Sequence, residues 1–261
     1  MDEIVTERSG SILGVQLNRP QKRNAMTSSM YATLADVFND TATDDGIRVV
    51  LWHGAGDSFC AGNDVEDFLK NPPGPGESPQ ARLMKALLDF DKPVVAAVHG
   101  AAIGGGTTML THCDFVYAGE SAKFQMPFIN LAVVPEFGSS YSLPARIGHL
   151  RAAELILLGR PFDARRAADL GLVTQVVPNQ DLMAAAIKTA RTFAAKPADA
   201  MRASKRLMKT PFREQIEAAI WAELAEFSVH VRSDDAKEAL RAFLEKRPPD
   251  FNRTTKSPAA A

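Results

Sequence analysis

The first 180 residues alternate between short apolar, β-branched runs and longer helical patterns, and this alternation restricts the chain to few folds. Five runs are typical of buried strands: SILGVQLN (11–18), IRVVLWHG (47–54), PVVAAVHG (93–100), DFVYAG (114–119) and LVTQVV (172–177). Strands that alternate with helices along a chain imply an α/β core. We therefore assign the chain to the α/β class.

Helical patterns separate these runs. Residues 27–44 begin with Thr27 as the predicted N-cap and carry apolar residues on one stripe, as a helix packed on a core does. Three more helices are predicted at 78–90, 149–159 and 162–171. The Pro- and Gly-rich stretch 71–79 predicts a mobile surface loop before the first of these three.

From about residue 180 the strand pattern disappears. We divide the chain into a core, residues 1–180, and a helical C-terminal region, residues 181–261. Three segments of this region are helical by periodicity and composition: 181–196, 197–209 and 212–246. The last segment carries an apolar stripe, which predicts packing in a core or a subunit interface rather than a ligand site: Ile216, Ile220, Leu224, Phe227 and Val231.

The composition excludes several classes of protein. Hydrophobic residues make up 46% of the chain, and 30 Lys and Arg face 31 Asp and Glu, so nothing indicates a nucleic-acid or anionic membrane partner. The start MDEIVTERSG does not resemble a signal peptide, and we expect a soluble, cytoplasmic protein. The two cysteines, Cys60 and Cys113, predict reduced thiols, and no residue cluster has metal-ligand spacing.

Two glycine-containing turns follow strand-like runs: SFCAGNDVEDF (58–68) and VHGAAIGGGTTML (98–110). A strand that turns directly into a helix leaves backbone N–H groups unpaired at the helix start, where they can stabilise a developing negative charge. Two such turns could supply a pair of donors. Neither turn fits the dinucleotide-binding or Walker pattern, and tight packing alone also explains glycine turns.

Five segments, in their order and spacing, resemble the crotonase superfamily of enoyl-CoA hydratases and isomerases: SFCAGNDVEDF, DKPVVAAVHGAAIGGGTTML, MPFINLAVVPEFGSSYSLPARIG, AAELILLGRPFDARRAADLGLVTQVVP and AFLEKRPPDF. The resemblance covers nearly the whole chain. It implies a spiral core of ββα units and a helical C-terminal region that builds homotrimers or hexamers of two trimers and closes the site. It also implies an acyl-CoA thioester substrate, so coenzyme A belongs to the substrate and no separate cofactor is expected.

The family stabilises an enolate with two backbone N–H groups. By resemblance these are the N–H groups of Asn63 and Gly105, and one fixed donor in a dry site lowers a barrier by roughly 3–4 kcal/mol. Asp64 is expected mainly to cap the helix that follows the first turn. The other turn residues expected to contact the substrate are Ala61, Gly62, Asp64 and Gly104.

Hydratases of this family carry two glutamates, at positions that here hold Thr108 and Phe128. Adding water requires one group that positions the water and another that handles the proton at the α-carbon. Two uncharged side chains serve this chemistry poorly. We keep both residues as substrate contacts and look for the base elsewhere.

Glu136 supplies the alternative base. In LAVVPEFGSSYSLP (131–144) it follows Pro135 in an apolar run that resembles the peroxisomal type of Δ3,Δ2-enoyl-CoA isomerase. By this resemblance Glu136 would remove the C2 proton of a 3-enoyl-CoA and return it at C4, while the two backbone donors hold the dienolate. Burial among apolar neighbours is expected to raise its pKa.

Other interpretations of Glu136 stay open. A Pro–Glu pair is common at a helix start, where the acid complements the helix dipole. The chain could also be a hydratase, or catalyse another crotonase-type reaction, with Glu136 as its only carboxylate. A non-catalytic acyl-CoA-binding protein is the third possibility.

The resemblance also suggests contacts to the thioester. An arginine suits the phosphates of coenzyme A because its planar guanidinium matches them. Phe68 and the 71–79 loop could border the acyl chain. The candidates for coenzyme A itself are Arg23, Ala25, Lys246 and Phe251.

Overall fold

Nine strands and ten α-helices make up the part of the chain that the computed structural model describes, residues 2–71 and 76–252. The strands are β1 (Ile4–Ser9), β2 (Ile12–Leu17), β3 (Val49–Gly54), β4 (Val94–Val98), β5 (Ala101–Ile103), β6 (Phe115–Gly119), β7 (Lys123–Gln125), β8 (Phe162–Asp163) and β9 (Gln175–Val177). The helices are α1 (Ser28–Thr43), α2 (Val65–Lys70), α3 (Pro79–Asp89), α4 (Gly105–Thr108), α5 (Ser139–Ile147), α6 (His149–Leu157), α7 (Ala164–Asp169), α8 (Leu182–Ala194), α9 (Ala198–His230) and α10 (Asp234–Leu244).

The strands form two sheets. The larger has the order β1-β2-β3-β4-β6-β9, with β1 antiparallel to β2 and all other neighbours parallel. The smaller has the order β5-β7-β8. All five predicted strands are confirmed, as β2, β3, β4, β6 and β9. The edge strand β1 was not predicted, because five of its six residues are exposed and the segment lacks an apolar face.

The large sheet is buried on both faces at its central strands β3 and β4, which explains why these strands are almost continuously apolar. In β3, Val50 and Trp52 pack in the cluster that contains α1 and α3. Val49 and Leu51 face the other way, into the cluster that contains α8. The successive residues of one strand therefore stabilise opposite layers.

The four predicted helices of the core region are confirmed as α1, α3, α6 and α7, and the hydroxyl of Thr27 caps α1 by accepting the Met30 N–H. Residues 72–75 of the predicted loop lie outside the described residues. The exposed residues 71, 76 and 77 border them. Both cysteines are free thiols.

The C-terminal helices differ from the prediction in their boundaries. We expected separate helices on either side of Pro211, but α9 continues through it. The break comes instead after His230, because Ser233 accepts the Ala236 N–H and starts α10. The predicted stripe is packed inside the chain, with four of its five residues buried. None of the helices in the described ranges combines the length and the apolar composition needed to cross a membrane.

Candidate active site

The two glycine turns lie side by side. The Cys60 N–H donates to the Ala101 carbonyl, and the Ile103 N–H donates to the Cys60 carbonyl, both at 2.9 Å. Gly62 has a φ of 88°, and a Cβ built on it would lie 3.0 Å from the Ile103 carbonyl oxygen. Glycine is therefore required there both by its conformation and by the close approach of the second turn.

The pairing of the first turn orients the N–H of Asn63. Met26 donates to the Gly62 carbonyl at 2.7 Å and accepts from Asp64 at 2.8 Å, so the Asn63 N–H points away from Met26. Gly105 is the first residue of α4, where an N–H has no partner within the helix. Neither N–H donates a hydrogen bond within the part of the chain that the structure describes. Both predicted donors are thus left for another acceptor.

Asp64 has the structural role that we expected. Its side chain caps α2 by accepting the Asp67 N–H at 3.0 Å and also accepts from Arg19 at 2.7 Å. Burial alone would raise its pKa, but these two hydrogen bonds hold the pKa below its ordinary value. Both carboxylate oxygens are engaged.

Glu136 lies in the loop before α5, directly after the half-buried Pro135. Its side chain is buried, and its Oε1 has no hydrogen-bond partner among the described residues. A Cβ built on Gly105 would lie 2.7 Å from this Oε1. The unpaired carboxyl oxygen therefore lies against the residue that carries one of the two free donors.

The buried position changes the acidity of this carboxyl group. Burial, and then the nearby Glu223 carboxylate, raise the pKa of Glu136 to about 8. Both causes act by disfavouring the ionised form. Glu136 consequently has a far higher proton affinity than an exposed glutamate.

We expect the stability of Glu136→Gln relative to wild type to increase as the pH rises from 4.5 to about 8. Between these values the unfolded chain releases a proton that the folded chain retains. Each pH unit therefore lowers the wild-type unfolding free energy by up to about 1.4 kcal/mol. Glutamine has no proton to release. Thermal unfolding across this pH range measures the effect, and an unchanged difference in Tm between variant and wild type would contradict the raised pKa.

The helix-start role that the sequence also allowed for Glu136 is occupied by another residue. Helix α5 begins at Ser139, and two N–H groups at its start donate to the Glu223 carboxylate on α9. Gly138 donates to Glu223 Oε2 and Ser140 to Glu223 Oε1, each at 2.7 Å. The Glu136 carboxylate takes no part in this cap.

A small cavity of about 10 Å³, room for about one water, adjoins Glu136. Phe68, which we expect to border the acyl chain, lines this cavity, with its ring edge-on to Phe227 at 5.6 Å between centroids. Leu224 and Phe227 of the predicted stripe are buried in the core, as expected, and they also line the cavity. The cavity is lined by Asn63, Phe68, Gln80, Met84, Glu136, Glu223, Leu224 and Phe227.

The two positions of the hydratase glutamates are buried and uncharged. The Thr108 hydroxyl donates to the Gly104 carbonyl at 3.4 Å, and the Phe128 ring packs in the apolar cluster that also contains Phe68 and Phe227. Neither residue is among those that line the cavity beside Glu136. Among the described residues, no group of three or more His, Cys, Asp or Glu side chains could hold a metal ion.

The predicted coenzyme A contacts lie at different distances from the turns. Arg23 is exposed, and its carbonyl accepts the Ala61 N–H at 3.0 Å, so it adjoins the first glycine turn together with Ala25. Lys246 and Phe251 are exposed beyond the end of α10 and do not line the cavity. The structure brings only the first pair to the turns.

Several site residues were missed from the sequence. Tyr31 on α1 donates to Asn63 Oδ1 at 2.7 Å. Gln80 on α3 lies in the cavity wall, and its Oε1 has no hydrogen-bond partner in the described part of the chain. Burial, and next the charge of Glu136, raise the Tyr31 pKa. Glu223 had a signal that could have identified it, because it is a charge within the apolar stripe of its helix.

Comparison with known proteins gives the family. A sequence model of the enoyl-CoA hydratase/isomerase family matches residues 7–254. The chain belongs to this family. It is 33% identical to enoyl-CoA delta isomerase 2 of Rattus norvegicus, over 94% of this chain and 64% of that one. It is 34% identical to a probable enoyl-CoA hydratase of Bacillus subtilis (strain 168), over 87% of this chain and 90% of that one.

A solved structure gives the same result for the fold. The enoyl-CoA hydratase/isomerase of Pseudoalteromonas atlantica T6c is 39% identical, with a TM-score of 0.91 over 96% of this chain and all of that one. The crotonase resemblance and the crotonase-like α/β fold are thereby confirmed. The protein is an enzyme of the enoyl-CoA hydratase/isomerase family, and an acyl-CoA substrate is consistent with that family. The relatives' names include isomerases and hydratases alike, so the names do not identify the reaction that this enzyme catalyses.

Proposed function

We propose that this enzyme is a Δ3,Δ2-enoyl-CoA isomerase, which moves the double bond of a 3-enoyl-CoA to the 2-position. One observation carries the proposal: a single unpaired, buried carboxyl oxygen of Glu136 lies against Gly105. Moving a double bond needs one base and a site for the developing negative charge. Glu136 and the N–H groups of Asn63 and Gly105 are suited to these two roles.

The reaction follows in two proton transfers. The Glu136 carboxylate takes a proton from C2, and the C–H electron pair delocalises through the thioester carbonyl and the C3–C4 double bond to give a dienolate. The N–H groups of Asn63 and Gly105 stabilise its oxygen, at roughly 3–4 kcal/mol for one donor. Glu136 then returns the proton to C4, which leaves the double bond between C2 and C3.

The surroundings of Glu136 suit a base that must return the same proton. Phe68, Leu224 and Phe227 keep the cavity apolar and nearly free of space for water. Exclusion of water limits exchange of the carried proton with solvent. The raised pKa of Glu136, caused first by burial, brings its proton affinity closer to the working pH of a general base.

A hydratase would need a second acid–base group. Thr108 and Phe128 are uncharged, and the other carboxylate of the cavity, Glu223, accepts two backbone N–H groups. The isomerase assignment needs no such group.

The homotrimer or hexamer of two trimers stays a prediction. The C-terminal helices carry exposed apolar residues that support it: Leu207, Met208, Phe243 and Leu244. Light scattering would measure the mass of the assembly.

The deciding experiment compares two reactions of the purified wild type. A trans-3-enoyl-CoA is supplied, and the ultraviolet absorbance of the conjugated 2-enoyl thioester is followed, with short, medium and long acyl chains. In parallel, a 2-enoyl-CoA is supplied and loss of the same absorbance reports hydration. We expect a rise in the first assay and little loss in the second. The reverse pattern would establish a hydratase, and no change in either would favour a binding protein.

A further inference from the structure

The chain directly after Glu136 adopts an unusual backbone. Phe137 has a φ of 64° and Gly138 a φ of 68°, so two successive residues lie in the left-handed region. For a residue with a side chain, such as Phe137, this conformation is strained and persists only where neighbouring groups hold it. The direction of the Glu136 side chain depends on this turn.

His112 holds one side of the turn. Its Nε2 lies 2.9 Å from the Phe137 carbonyl oxygen, and because a carbonyl can only accept, Nε2 carries the proton. Burial lowers the His112 pKa to about 4, so the ring is neutral. His112 ends the short helical segment that Gly105 begins, which links the turn to the donor side of the site.

Glu223 holds the other side. Its two carboxylate oxygens accept the Gly138 and Ser140 N–H groups, and its side chain is buried. It also lines the same cavity as Glu136. Carboxylate–amide hydrogen bonds of this kind are stronger than neutral ones because the acceptor is charged.

We propose that Glu223 is a positioning residue: together with His112 it fixes the Phe137–Gly138 turn so that the Glu136 carboxyl group lies against Gly105. This inference rests on the proposed function, since it states how the base of that reaction is held. It gives helix α9 of the C-terminal region a direct role in the chemistry of the core.

The charges around Glu136 allow the effect of Glu223 on the Glu136 pKa to be measured. Tyr31 on α1 and the buried Cys60 thiol face Glu136, and burial raises both pKa values, that of Cys60 to about 12, so both are neutral. His112 is neutral as well. Glu223 is the one neighbour whose charge raises the Glu136 pKa among the residues that the structure describes.

The test replaces Glu223 with glutamine, which offers one acceptor oxygen to two N–H groups. We expect kcat to fall by about 10²-fold, as displacement of a reacting group by roughly 1 Å does, with little change in KM. The rise of kcat/KM with pH should also move to lower pH, because the neighbouring charge is gone. Glu226→Gln is the matched control, since Glu226 lies exposed on the same helix.

A second variant tests the turn from its other side. His112→Phe removes the donor to the Phe137 carbonyl and should also lower kcat with little change in KM. Because both side chains hold one turn, the double variant should lose less than the product of the two single losses. If Glu223→Gln does not fold, the kcat of His112→Phe still measures how far the reaction depends on the conformation of the Phe137–Gly138 turn.

The outcomes separate this inference from the proposed function. If Glu223→Gln unfolds more easily but keeps its kcat and its pH profile, Glu223 is only a helix cap and the inference is overturned. The Glu136 carboxyl titration, followed by infrared difference against Glu136→Gln, needs no turnover. A wild type without isomerase activity would remove the proposed function. A Glu136 titration shifted by His112→Phe, which changes no charge because His112 is neutral, would still support the role of the held turn.

Discussion

Replacing Glu136 with glutamine should abolish the conversion of a trans-3-enoyl-CoA while thioester binding stays within a few-fold of wild type. Glutamine matches the shape of the buried side chain but cannot take the C2 proton, and loss of a positioned base lowers a rate by about 10²–10⁴-fold. The absorbance of the 2-enoyl thioester gives the rate. Calorimetric titration with a saturated acyl-CoA gives the affinity.

The control for this variant is again Glu226→Gln, which removes an exposed carboxylate. A Glu136→Gln enzyme that retained more than a tenth of the wild-type rate would show that another group is the base. Loss of binding together with loss of rate would instead assign Glu136 to substrate recognition.

Adding one methyl group at Gly105 should be nearly as damaging. The Cβ of Gly105→Ala would lie 2.7 Å from Glu136 Oε1 and 3.1 Å from the Tyr31 hydroxyl, closer than such atoms pack. Both neighbours are side-chain atoms, so the base and Tyr31 should move while the backbone stays in place. We expect kcat to fall by about 10²-fold, because displacing a reacting group by roughly 1 Å lowers the rate by about this factor.

Thermal unfolding and circular dichroism distinguish this displacement from misfolding. Gly14→Ala on β2 is a suitable control, because its Cβ would meet only the Glu7 carbonyl oxygen, at 3.3 Å, in a strand away from the cavity. A Gly105→Ala enzyme that kept its wild-type kcat would mean that the Glu136 carboxyl lies elsewhere during turnover.

Local patterns were sufficient to predict most of the fold. The runs that became β3 and β4 are apolar on both faces because helices cover both sides of the sheet, and this leaves a clear signal in the sequence. Strand β1 has no such signal, since it lies at the sheet edge with mostly exposed residues. The continuation of α9 through Pro211 also could not be predicted, because it depends on contacts with a distant segment: Lys209 donates to the Phe90 carbonyl, and Arg213 pairs with Asp89 at the end of α3.

The site was predictable only where its residues belong to contiguous motifs. The two glycine turns and Glu136 each lie in a short segment that can be recognised by itself. Tyr31, Gln80 and Glu223 come from α1, α3 and α9, and nothing in their own segments states which loop they will contact. Glu223 is marked as unusual by its charge within an apolar stripe, but the partners of all three residues follow only from three-dimensional proximity.

The cap that Glu223 provides has a consequence for how this activity is recognised in other sequences. The segment VVPEFGSS contains the proposed base, but its conformation depends on an acceptor 85 positions after Gly138. Grafting the segment onto another scaffold would therefore transfer its sequence but not its conformation. The segment and Glu223 form one structural unit, although they lie far apart in the chain. A search for functional relatives is therefore more specific if it requires an acidic residue in the long C-terminal helix as well as the motif.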